Sequence, residues 1–189
     1  DGERCIAHDR HEGPLRVLKA LYPEGDGICH HVLVHPPGGI AGGDELQIDV
    51  EVGVDAHALI TTPGATRFYR SDGDEASQSA RLSVRDGARL EWLPLESIAF
   101  NGCRARNAVQ FELAPTAEMI GWDLLALGLP ASDEAFRQGV FDQHLAWPGL
   151  WLERGRIDAS DQRLLESPLG LGGQSVLATA WFASGGELD

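Results

Sequence analysis

Between Asp44 and Val52, the apolar residues Leu46, Ile48, Val50 and Val52 alternate with Glu45, Gln47, Asp49 and Glu51. Successive side chains of an extended chain point to opposite faces, so this run predicts a half-buried strand with one oily face and one acidic face. Gly53 to Asp55 supplies a turn, and Ala56 to Thr62 reads as the returning strand of a hairpin-like unit. Similar units follow. Leu82 and Val84 precede Asp86-Gly87 and then Leu90 and Trp92. Val109, Phe111 and Leu113 precede Pro115 and then Ile120, Trp122 and Leu124, and a fourth unit turns at Pro148-Gly149.

The turn centres Gly53, Gly87, Pro115 and Pro148 lie 34, 28 and 33 residues apart. That spacing suits stacked β layers around one continuous core, although an ordinary β-sandwich also turns at regular intervals. The 23 Gly and 10 Pro residues weigh against long helices. Only Asp133 to Arg137 and Asp161 to Glu166 read as short helical pieces. The expected fold is mainly β, with stacked strands resembling a β-helix or layered β-sheets, and no linker-like stretch divides the chain.

Composition narrows the function classes. The 189 residues, 43% hydrophobic, suffice for one domain with a packed core. There are 29 Asp+Glu against 15 Lys+Arg, a net charge of -14, and Lys19 is the only lysine. Nucleic-acid affinity comes largely from Lys and Arg displacing counterions, so a nucleic-acid partner is disfavoured, whereas metal cations and basic protein faces are attracted. The three cysteines Cys5, Cys29 and Cys103 read as free thiols in a reducing compartment, hence the cytoplasm. No apolar run reaches the roughly 18 residues of a membrane span, and the N-terminus lacks a signal-peptide pattern.

The densest cluster of chemistry is Cys29-His30-His31-Val32-Leu33-Val34-His35, followed by Pro36-Pro37-Gly38-Gly39-Ile40-Ala41-Gly42-Gly43-Asp44. Imidazoles and a thiol suit nickel, zinc or copper. On a strand, however, His31 and His35 share one face while His30 alternates with them, so a tight local site needs a bulge or ligands from elsewhere. The glycines lack the lysine and following helix of a phosphate loop, and they read instead as a tight turn into the Asp44 strand. No Gly-x-Ser-x-Gly, His-Glu-x-x-His or Cys-x-x-Cys pattern occurs. Asp123, in Met119-Ile120-Gly121-Trp122-Asp123-Leu124-Leu125, and Glu153, after Leu150-Trp151-Leu152, sit in apolar strands. A carboxylate there is either paired, with Arg154 or Arg156 as the natural partner, or serves a polar ion path.

Taken together, several blocks resemble the urease accessory protein family UreD, also called UreH. They are Gly13-Pro14-Leu15-Arg16-Val17, Leu21-Tyr22-Pro23-Glu24, the Cys29 to Asp44 block, Leu59 to Ser71, Leu90-Glu91-Trp92-Leu93-Pro94 and Gly121-Trp122-Asp123-Leu124-Leu125. The resemblance implies a non-enzymatic nickel chaperone subunit that binds apo-urease and a UreF-type partner, which recruits a UreG-type GTPase; GTP hydrolysis belongs to that partner. It implies a mostly β fold likened to a β-helix, and two copies of each accessory subunit in the assembled complex. By that resemblance, residues 1–189 are expected to form a single UreD-like domain without the N-terminal start and the C-terminal part of the family pattern.

The resemblance also implies polar tunnels that carry nickel, with Asp44, Thr66, Asp123 and Glu153 at matching positions along that route. His35 and Cys29 match the family block as secondary ligand candidates. Oxygen ligands in a water-filled path suit transfer, because they release a divalent ion that thiolate and imidazole would retain. Leu95, Leu129 and Cys103 depart from the family pattern. Two other readings compete: a cupin-like metal-dependent enzyme, whose His-x-His spacing is absent here, and a plain structural scaffold.

Overall fold

The alternation in the sequence becomes pleated strand wherever one face finds a core. The computed structural model describes residues 4–187. In chain order the strands are β1 (Arg16–Val17), β2 (Ile28–Val34), β3 (Glu45–Val52), β4 (His57–Thr61), β5 (Thr66–Phe68), β6 (Ala76–Val84), β7 (Arg89–Leu93), β8 (Ser97–Ala99), β9 (Cys103–Leu113), β10 (Glu118–Leu127), β11 (Gly139–Trp147), β12 (Trp151–Asp158) and β13 (Val176–Ser184). A single α-helix among the described residues, α1 (Gln162–Glu166), is capped by the Asp161 side chain, which accepts from Leu164 N.

The strands form two sheets. In the first, β2, β4, β7 and β10 are parallel neighbours, extended by β1, β8, β5 and β13; in the second, β3, β6, β9 and β11 are parallel and antiparallel β12 follows β11. From β2 to β11 the chain passes back and forth between the sheets, with short β5 and β8 staying in the first sheet after β4 and β7, and so winds as a flattened coil. Ile28 opposes His57, His57 opposes Arg89, and Arg89 opposes Glu118, which makes each turn of the coil about 30 residues. The spacing of Gly53, Gly87 and Pro115 is the period of this winding.

The expected hairpins are corrected by that topology. β3 and β4 lie in opposite sheets, as do β6 and β7, and β9 and β10; only the unit at Pro148-Gly149 is a true hairpin, joining antiparallel β11 and β12. The corners explain the difference. Each is hydrogen-bonded to the corner of the next coil turn: Asp55 N donates to Asp86 O at 3.0 Å, and Gly87 N donates to Thr116 Oγ1 at 2.8 Å. Stacked corners direct successive strands into opposite sheets, where a hairpin turn would return them to the same one. The helix expected over Asp133 to Arg137 is also absent. Pro130–Ser132 forms a 3-10 turn instead, and Asp133 adopts a φ of 58°, which ends it.

Inward side chains build two apolar clusters. One contains Leu82, Leu90, Trp92, Phe111, Met119 and Leu145; the other contains Ile40, Phe68, Leu125, Leu127 and Phe141. The boundary between them runs across the strands at equivalent depth. On β9 it falls at Asn107, on β10 at Asp123 and on β11 at Gln143, each buried.

Candidate functional site

That boundary is a polar seam through an otherwise apolar interior. Gln78, Asn107 and Gln143 are aligned on β6, β9 and β11, because parallel strands in register place residues from successive coil turns side by side. From the facing sheet, Asp123 on β10 meets them. Asn107 Nδ2 donates to Asp123 Oδ1 at 2.9 Å, Gln143 Nε2 donates to Asp123 Oδ2 at 2.6 Å, and Gln78 Nε2 donates to Asn107 Oδ1 at 3.4 Å. Asp123 is 6% exposed. Burial pushes its carboxyl up to about 6; the hydrogen bond from Asn107 pulls the other way, and the nearby charge of Glu153 adds to the rise.

The arginine partner expected for Asp123 is therefore replaced by two neutral amides. Arg154 is exposed and Arg156 pairs with Asp142 at 2.8 Å on the outer face of the second sheet. A carboxylate held by neutral donors keeps its charge uncompensated, and its affinity for a proton or another cation is correspondingly high.

A cavity of about 200 Å³ reaches this carboxylate, and its wall includes His35, Thr66, Gln78, Ser97, Asn107 and Asp123. Thr66, His35 and Asp123 thus share one space. Asp44 does not line it; its Oδ2 accepts from Ala41 N at 2.9 Å and closes the glycine-rich turn whose Gly38 and Gly39 form part of the cavity wall. Burial holds the His35 ring below the ordinary histidine range, and the Asp44 charge opposes that shift. Glu153 lies outside the cavity wall, where its Oε1 accepts from Thr179 Oγ1 at 2.8 Å. Thr179 is the cross-strand partner of Asp123, so Glu153 continues the polar line past the buried carboxylate. Cys29 faces a different cavity, beside the N-terminal segment.

The Pro-Pro-Gly-Gly turn is shaped by packing. A Cβ on Gly39 would lie 2.3 Å from the Tyr69 ring, so the bare backbone lets the ring seat against the turn. Among the described residues, no three His, Cys, Asp or Glu side chains converge as a ready-made metal cluster. His30 binds Glu24 and His57 binds Glu91, each at 2.8 Å.

Asn107 and Gln143 are not among the candidates that the sequence singles out. A signal existed: Asn107 is in phase with buried Val109 and Phe111, and Gln143 with buried Phe141 and Leu145, which places each amide inward.

A family model described as UreD urease accessory protein matches residues 1–188. The chain belongs to the UreD family. A urease accessory protein UreD of Leptothrix cholodnii is 61% identical over 186 residues, covering 98% of this chain and 67% of that relative. Those of Variovorax paradoxus and Methylibium petroleiphilum are 59% and 62% identical, again across 98% of this chain and 67% of theirs. The chain therefore spans about two-thirds of the length of these UreD relatives. The mainly β, stacked-strand architecture expected from the resemblance to UreD is the one observed. No described helix is long and apolar enough to cross a membrane.

Proposed function

We propose that this UreD-family chain passes nickel toward apo-urease during maturation of the urease active site, as a cytoplasmic accessory subunit without turnover of its own. It does so with a UreF-type partner and a UreG-type GTPase, which supplies GTP hydrolysis, in an assembly holding two copies of each accessory protein. The observation that carries the nickel reading is Asp123: a carboxylate buried between two sheets, without a cationic partner among the described residues, at the wall of a cavity.

The chemistry follows from that environment. Nickel is cargo here, so its contacts must be strong enough to attract and weak enough to release. A carboxyl that titrates near 6 exchanges a proton for a divalent cation close to neutral pH. Thr66 Oγ1 and the seam amides offer neutral oxygen atoms, and His35 offers imidazole nitrogen at the same cavity. Glu153 and Thr179 extend the oxygen-rich line beyond Asp123. Asp44 stands at the turn beside His35 and contributes negative potential to that end.

The test is urease activity in nickel-supplied cells carrying the cognate operon, with this gene deleted and then restored in wild-type or Asp123→Ala form. Deletion abolishes activity and the wild type restores it. Asp123→Ala fails to restore it although co-purification of urease and the partners is preserved. Full restoration by Asp123→Ala with an intact complex would leave the chain a scaffold, and unchanged activity on deletion would remove the accessory role for this gene.

A further inference from the structure

The second cavity, about 600 Å³, lies between β2, β3 and the N-terminal segment, and both Cys5 and Cys29 line it. The segment is held in place on either side of Cys5. Cys5 N donates to Asp26 O at 2.9 Å, the Tyr22 hydroxyl donates to Cys5 O at 2.9 Å, and the Arg4 guanidinium sits 5.0 Å from the centroid of the Tyr22 ring. Leu21 and His30 exchange backbone hydrogen bonds of 3.0 and 2.8 Å, which sets Tyr22 across from Cys29. Tyr22, whose hydroxyl binds Cys5 O, is thus the cross-strand neighbour of Cys29, and the two cysteines line one cavity. All three cysteines are free, but they are not equivalent: Cys5 is half-buried, Cys29 is 2% exposed, and Cys103 is fully buried on β9 and does not line this cavity.

We propose that Cys5 and Cys29 form an intramolecular disulfide on meeting a small-molecule disulfide oxidant, tying the N-terminal segment to β2. The order of events follows accessibility. The Cys5 thiolate attacks one sulfur of a reagent such as oxidised glutathione, forming a mixed disulfide and releasing one thiol. Cys29 then loses its proton, attacks Cys5 Sγ and expels the second thiol. The protein pair gives up two electrons and two protons, and the small disulfide becomes two thiols. The buried Cys29 attacks in the second step, where the sulfur already on Cys5 makes the reaction intramolecular and raises its effective concentration. This inference stands independently of the nickel reading.

The experiment treats the folded chain with oxidised glutathione, alkylates it in denaturant and maps tryptic peptides without reductant. The expected result is that two of the three thiols escape alkylation. The Cys5–Arg10 peptide is joined to the Ala20–Arg67 peptide, and dithiothreitol reverses the link. Cys103→Ser forms the same link and Cys5→Ser forms none. Cys29 recovered fully alkylated, glutathione left on Cys5 without a cross-link, or a link through Cys103 would overturn the assignment. The wild-type map requires no substitution, so the outcome does not depend on either variant folding.

Discussion

Gln143 Nε2 on β11 donates to Asp123 Oδ2 on β10 at 2.6 Å, and this bond joins the two sheets at the boundary between their apolar clusters. Together with Asn107 it leaves Asp123 hydrogen-bonded but not ion-paired. Three consequences of the seam and its surroundings, and two of the packing around it, are open to measurement.

The first concerns pH. The folded Asp123 carboxyl titrates at about 6 against an ordinary 3.8, so the folded state binds this proton more tightly than the unfolded state does. The stability it contributes is present below 3.8 and is lost as pH rises to about 6. Asp123→Asn removes that dependence. Urea unfolding at a series of pH values is expected to show the variant gaining about 3 kcal/mol on the wild type between pH of about 3 and about 7. A pH-independent difference would place the carboxyl at its ordinary value.

Asn107→Ala and Gln143→Ala each strip a donor from a buried carboxylate, at a cost of about 1–3 kcal/mol. Loss of the Asn107 bond also raises the Asp123 pKa further, which carboxyl carbon NMR reads directly. The double variant is expected to be non-additive, because both amides serve one group. Strict additivity would argue that the two bonds act separately.

Gly39→Ala sets a methyl against the Tyr69 ring and is expected to destabilise by about 1–3 kcal/mol, since the ring must leave its seat on the turn. Thermal unfolding measures the loss. Adding Tyr69→Ala should relieve it, and failure of that rescue would place the strain elsewhere.

Phe111, 1% exposed, stacks on Trp181 with centroids 5.8 Å apart and planes within 1°, and it also packs against Trp147 and Trp151. Phe111→Ala is expected to cost about 3–5 kcal/mol and to alter the environment-sensitive tryptophan fluorescence. A loss under about 1 kcal/mol would mean that the three indoles close over the gap.

Alkylation of the native chain should distinguish the cysteines. Burial pushes the Cys103 thiol up to about 11, so at pH about 8 little thiolate forms and the buried sulfur is shielded. Iodoacetamide is expected to label Cys5 first and Cys103 only on unfolding, as followed by mass spectrometry of digests. Early labelling of Cys103 would show that β9 opens to solvent.

Strand character was legible wherever one face was apolar and the other polar, as in Leu46-Ile48-Val50-Val52 against Glu45-Gln47-Asp49-Glu51. The roughly 30-residue period was legible too, because one coil turn repeats the same pattern of strand and corner. Which strands would pair was not. Period-two alternation identifies a buried face without naming the neighbour, and Gly53 to Asp55 reads equally as a hairpin turn or as a corner until Asp55 is seen bonded to Asp86.

The sequence by itself determined the β character, the acidic charge, the family blocks and the anomalous carboxylate at Asp123. These reside in residue type and local spacing. The tertiary structure alone decided that Asp123 would face Asn107 and Gln143 and not an arginine, that Thr66 and His35 would share its cavity, and that Cys5 and Cys29 would line another. Those neighbours are set by the winding of the coil. Parallel stacking brings residues about 30 apart into adjacent strands, and the two sheets then press distant inward side chains together.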